Sequence, residues 1–142
     1  MQTFLPYISF SQSAKCLDYR RLGKQRVEAM QILDTLEGRS KGWANHPAVL
    51  MWKRYEEALK LYFNCISREW VERGYKHNMG FFDLCSVPDN PPWLGEETFH
   101  LSHQSNLARK FPEHYGPMFP GVPDNLEYVW PVTLTSKGDE TK

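Results

Sequence analysis

The sequence predicts an all-α fold, a single compact domain of about three main helices joined by long ordered loops. Three observations carry this. Apolar residues recur at three- and four-residue steps through 22–36 and 52–70, the spacing that lines one face of an α-helix. No stretch shows the period-two alternation of a half-buried strand. Gly, Pro and Asn gather in the intervals 38–47, 75–94 and 112–131, which marks them as connections. At 142 residues the chain can bury roughly two-thirds of the surface it exposes when unfolded, without a metal or disulfide staple. The expected domain spans 1–131, followed by a flexible tail over 132–142.

Residues 1–10 place Phe4, Leu5, Tyr7, Ile8 and Phe10 around Pro6. Proline disfavours a helical residue before it, so this segment should run extended and pack beneath the helices. Ser11 or Ser13 is the expected N-cap of a first helix reaching about Leu36, with Leu22, Ala29, Met30, Leu33 and Leu36 turned inward and Gly23 loosening or bending it. A turn-rich loop with Trp43 and His46 follows. Pro47 suits the first residue of a second helix running to about Arg73, with Trp52, Tyr55, Leu59, Phe63, Ile66 and Trp70 as its apolar stripe and Gly74 as its stop. After the irregular segment 75–94, a third helix is expected from Gly95 or Glu96 to about Lys110, burying Phe99, Leu107 and Phe111. Pro112 ends it.

Composition narrows the function classes. Lys plus Arg and Asp plus Glu balance at 17 each, so no overall field draws the molecule to a polyanion, and any nucleic-acid binding must come from a local patch. Aromatic residues make up 14%, many in loops, where rings stack on bases or serve as packing wedges. Cys16, Cys65 and Cys85 are odd in number and far apart, which is neither a disulfide framework nor a metal pattern and points to a reducing compartment. The N-terminus has no basic region and no long apolar run, so a cytoplasmic protein without a membrane partner is expected. His100 and His103 are three apart on the third helix but lack a third ligand at a matching offset. Neither a metal centre nor a cofactor is expected.

The chemistry gathers on one basic stretch. Lys15, Arg20, Arg21, Lys24 and Arg26 fall within a dozen residues, with Asp18 and Glu28 the carboxylates among them. Wound as a helix, Asp18, Arg21, Gln25 and Glu28 share one stripe. A catalytic acid ringed by phosphate-binding cations fits this pattern; so does a solvated helix laced with salt bridges, the commoner origin of such spacing. His46 suits either a brace at the start of a helix or a catalytic role. Arg109 and Lys110 suit either dipole complementation or a basic face. Residue chemistry alone stops at nucleic-acid binding.

Three runs carry the reading further: CLDYRRLGKQRVEAMQIL, NHPAVLMWKRYEEALKLYFNCISREWVERGYK and HLSHQSNLARKFPEHYGPMF. Together they resemble the pyrimidine-dimer DNA glycosylase family typified by phage endonuclease V, and more closely its bacterial branch, over about 1–131. The resemblance implies a DNA-repair N-glycosylase with AP-lyase activity, acting on damaged or modified pyrimidines in duplex DNA. In that family the N-terminal α-amine attacks the sugar C1′ and forms a Schiff base, a glutamate on the first helix assists, and arginines hold the kinked backbone. Methionine before the bulky Gln2 is expected to be retained, which assigns the amine to Met1. Were Met1 lost, Gln2 could cyclise. Aligning Asp18-Tyr19-Arg20 with the family's acidic-Tyr-Arg puts Arg21 at the position of the glutamate, and Glu28 lies two turns later on nearly the same face. Glu28 is therefore assigned as the catalytic carboxylate, ahead of Asp18. Arg20, Arg21, Lys24 and Arg26 are expected to hold phosphates, Arg109 and Lys110 the flanking backbone, and His46 a phosphate or sugar. Tyr115 and Tyr128 or Trp130 line the groove or pack beneath it. A monomer is expected. The alternatives are a non-catalytic DNA- or nucleotide-binding protein that keeps the fold and a protein-interaction module.

Overall fold

The computed structural model describes residues 2–131. These residues form six helices and no strand: α1 (Phe10–Cys16), α2 (Tyr19–Leu36), α3 (Pro47–Leu50), α4 (Glu56–Glu72), α5 (Glu97–Lys110) and α6 (Pro112–Tyr115). The expected three main helices are α2, α4 and α5, of 18, 17 and 14 residues. Met1 and the expected tail, 132–142, lie outside the described residues.

The expected single helix up to Leu36 is two. Ser9, not Ser11 or Ser13, caps α1, its Oγ accepting the Gln12 N–H at 3.1 Å. Ser13 is buried and bonds Tyr7 instead. The chain leaves the helix at Leu17, a fully buried residue in extended conformation, and re-enters at Asp18, whose carboxylate caps α2 at the Arg21 N–H. α2 runs through Gly23 without interruption. A Cβ there would lie 2.8 Å from Cη2 of Trp70 on α4, so glycine permits the close approach of the two longest helices.

The expected helix over 47–73 also breaks. Pro47 does open α3, but the Met51 carbonyl is taken by the Trp93 indole N–H at 2.9 Å. Arg54 then adopts φ 75°, and α4 begins after Tyr55. Gly74, at φ 94°, follows α4 as expected. Pro112 ends α5 and at once begins α6.

The core lies where α1 and α2 pack on α4 and the N-terminal segment threads beneath them. Trp52, Tyr62, Phe63, Phe99, Leu5 and Leu22 are among its fully buried side chains. Ile8, placed inward by the sequence reading, is instead exposed.

Candidate active site

The site is built outward from Gln25, a polar residue on the buried face of α2 between Leu22 and Ala29. Its side-chain amide makes all four of its hydrogen bonds. Nε2 donates to the Gln2 carbonyl at 2.8 Å and to Glu28 Oε1 at 3.3 Å. Oε1 accepts the Phe4 N–H at 2.9 Å and the Tyr62 hydroxyl at 2.6 Å. A fully satisfied buried network has one arrangement, so the N-terminal segment is held against α2 in a single register. The one Tyr62 hydroxyl proton is shared with the Phe4 carbonyl, 2.9 Å away, and the Trp52 indole donates to Thr3.

Glu28 stands one turn after Gln25. Its Oε1 also accepts the backbone N–H of Gln2 at 3.2 Å, while Oε2 has Lys24 Nζ at 3.9 Å. The side chain is 12% exposed. One oxygen is thus fixed by the N-terminal segment and by Gln25.

Around this carboxylate is a cleft of about 330 Å³ lined by Gln2, Phe4, Gln25 and Glu28 and by four cations, Arg20, Arg21, Lys24 and Lys110. Arg21 is tethered by Nη1 to Asp18 Oδ1 at 3.2 Å. Arg20 is exposed and, among the described residues, reaches only the Tyr19 hydroxyl, at 3.1 Å. Lys110 extends from the end of α5, its Nζ 5.5 Å from the Phe4 ring centroid and 5.7 Å from that of Tyr128. Partial burial, with Arg21 and Arg109 nearby, lowers the Lys110 pKa from its ordinary value. Cations from two helices far apart in sequence therefore converge on one carboxylate.

The other predicted residues stand apart from the cleft. Asp18 caps α2 and its carboxylate also accepts the Tyr115 hydroxyl. Burial alone would raise its pKa, but the Tyr115 and Arg21 hydrogen bonds hold it below the usual carboxylate range. Arg26 lies against α4, its guanidinium 4.5 Å from the Trp70 ring and Nη1 2.9 Å from His77 Nδ1. Arg109 donates to the Asp124 and Leu126 carbonyls at 3.1 and 3.2 Å and also bonds Asn106. His46 caps α3 through Nδ1 and meets Trp43 and Trp130 edge-on; partial burial lowers its pKa, against the opposing pull of Glu28. Tyr115 is buried, and Tyr128 is half-buried between Phe4, His103 and Trp130.

Gln25 and Gln2 were not singled out as site residues by sequence reasoning. The signal for Gln25 was a polar residue at a position where the helical period calls for an apolar one; Gln2 carried none. Among the described residues no group of three His, Cys, Asp or Glu could hold a metal, and no helix is long and apolar enough to cross a membrane.

Chemically, the cleft pairs phosphate-binding cations with a carboxylate positioned to move a proton or to stabilise developing positive charge, beside the backbone nitrogen of residue 2. The chain matches the family described as pyrimidine dimer DNA glycosylase over residues 1–83, more than half its length. Neither a curated protein nor a solved structure matches it.

Proposed function

The chain belongs to the pyrimidine dimer DNA glycosylase family, and we propose that it releases a damaged or modified pyrimidine from duplex DNA and then cuts the strand at the exposed sugar. The observation that carries this reading is the 3.2 Å hydrogen bond from the Gln2 backbone nitrogen to Glu28 Oε1. It puts the catalytic candidate among the carboxylates next to the N-terminal residues. The Met1 amine is one residue along the chain from that nitrogen.

An α-amine has a pKa of about 8, so a useful fraction is neutral at physiological pH. Its lone pair attacks C1′ of the damaged nucleotide, and the C1′–base bond breaks with its electron pair leaving on the base. Glu28 accepts the proton that the amine loses and passes it to the departing base. The C1′–O4′ bond then breaks, O4′ taking a proton from water, which leaves the opened sugar as a Schiff base; loss of a C2′ proton expels the 3′ phosphate by β-elimination, and water then frees the amine. Arg20, Arg21, Lys24 and Lys110 hold the phosphates that flank the lesion. A damaged, weakly stacked nucleotide lowers the cost of the distortion.

The test is borohydride trapping on duplexes carrying a thymine dimer, an abasic site or no damage, followed by mass mapping of the cross-linked peptide. A covalent adduct on the dimer duplex, mapped to the first residues, is expected. Glu28→Gln should lower base release by on the order of a hundredfold or more while DNA affinity stays unchanged. Binding without adduct or base release in the parent protein would mark a DNA-binding protein instead.

A further inference from the structure

The histidine pair of α5 takes no part in the cleft lining, yet both rings are buried. Between them they hold the two polar backbone groups of Leu5. His100 Nδ1 lies 2.7 Å from the Leu5 carbonyl, and its Nε2 accepts the Gly95 N–H at 2.9 Å. A neutral imidazole has one proton, so that of His100 sits on Nδ1. His103 has the opposite tautomer: its Nδ1 accepts the Leu5 N–H at 2.9 Å, which leaves the proton on Nε2.

That Nε2 lies 3.4 Å from the side-chain nitrogen of Gln2. Two N–H donors cannot bond each other, and Gln2 Oε1 is meanwhile buried without a partner among the described residues. A half-turn of the Gln2 amide ends the donor–donor contact and offers Oε1 to the His103 proton, because its oxygen and nitrogen occupy equivalent positions. The turned amide is the favoured one, since a hydrogen bond at His103 replaces a contact between two N–H donors.

We propose that His103, protonated at Nε2, donates to Gln2 Oε1 and is a positioning residue for the cleft, fixing the residue whose backbone nitrogen meets Glu28. Gln2 is then held at three points: its side chain by His103, its carbonyl by Gln25 and its N–H by Glu28. Leu5 is clamped three residues on by the same α5 face. His103 is 2% exposed, so it acts on the reaction through Gln2 and not by contact with DNA. Its effect on rate rests on the glycosylase reading; the hydrogen bond itself does not.

Long-range ¹H–¹⁵N correlation spectra of the free, histidine-labelled protein at pH 7 read the tautomer directly. A bare Nδ1 and a protonated Nε2 are expected at His103. An Nδ1–H ring or an imidazolium there would overturn the proposal, whatever the enzyme does to DNA. Kinetics supply the second arm. His103→Asn keeps an acceptor near Nδ1 but loses the donor, and should lower kcat for base release on the order of tenfold or more with KM and DNA affinity unchanged. His103→Gln carries an amide donor near Nε2 and should restore most of that loss. Equal losses in the two variants, or a loss confined to affinity, would sink the positioning role. Where His103→Asn does not fold, Gln2→Ala removes the acceptor alone and should show the same fall in kcat. The expected tautomer in a parent protein that releases no base would refute the glycosylase reading, and the rate effect with it, but not the hydrogen bond.

Discussion

His103 ties the buried network to pH through a single proton. An imidazole in the unfolded chain titrates near pH 6.5, whereas burial, with His100 adding to it, pushes His103 down to about 3. Between those values the unfolded chain binds the extra proton, so stability falls as pH drops below about 6.5, and the loss is complete near pH 3. The slope approaches about 1.4 kcal/mol per pH unit. Denaturant melts at pH 7 and pH 5 should therefore show the parent losing about 2 kcal/mol more than His103→Gln between the two conditions. Identical losses would mean that His103 titrates normally in the folded state. His100, Gln2 and Tyr128 surround the ring in both proteins and cancel in the comparison. Asp18 shows the same coupling of burial and bonding with a different outcome: its hydrogen bonds outweigh burial, and the carboxylate stays charged as a cap.

The helices are set by where the backbone is interrupted. Asp18 starts α2 at the point that lets Leu22, Gln25 and Ala29 face the core and Arg21, Lys24 and Glu28 line or border the cleft. Gly23 then controls how closely α2 meets α4. In an exposed helix Gly→Ala would gain about 1 kcal/mol. Here the new methyl would meet the Trp70 ring, which is pinned by a hydrogen bond to the Lys76 carbonyl, by stacking on Tyr75 and by Arg26 across its face. Gly23→Ala should therefore destabilise by about 1–3 kcal/mol, read as a lower thermal midpoint with the same helical signal. A raised midpoint would show that the ring yields freely. Both breaks in the expected long helices have one cause. A backbone group needed to continue the helix is claimed from a distant part of the chain, as Trp93 claims the Met51 carbonyl and the Tyr115 hydroxyl claims the Asp18 N–H, and no local pattern announces that competition.

For the whole molecule, a neutral balance of 17 cations and 17 anions makes DNA binding a matter of local arrangement. Arg20, Arg21, Lys24 and Lys110 share the cleft, whereas Arg26 and Arg109 are engaged by neighbouring groups elsewhere. Among the described residues Arg20 is exposed and bonded only to the neighbouring Tyr19 hydroxyl, so its removal tests the surface without disturbing the fold. The affinity of Arg20→Ala for duplex DNA should fall, and the slope of log K against log salt should become shallower by about one. An unchanged slope would put the phosphate contacts elsewhere. The corresponding change at Arg26 should cost stability instead, because its guanidinium packs on Trp70 and bonds His77.

The sequence by itself determined the all-α class, the three long helices, Pro47 and Gly74 as punctuation, and the family. Each of these rests on a local period, on the backbone limits of a residue type, or on a run of residues in order. Spacing alone put Asp18 and Glu28 on one helical face, and the family alignment brought Glu28 forward. Only the tertiary structure decided which cations surround Glu28 and that Gln25 fastens the N-terminal segment beside it. It alone showed Asp18 as a cap and the two histidines as clamps on Leu5. These depend on hydrogen bonds between residues up to about a hundred positions apart, where the partner of a buried polar group is chosen by packing and leaves no period to read.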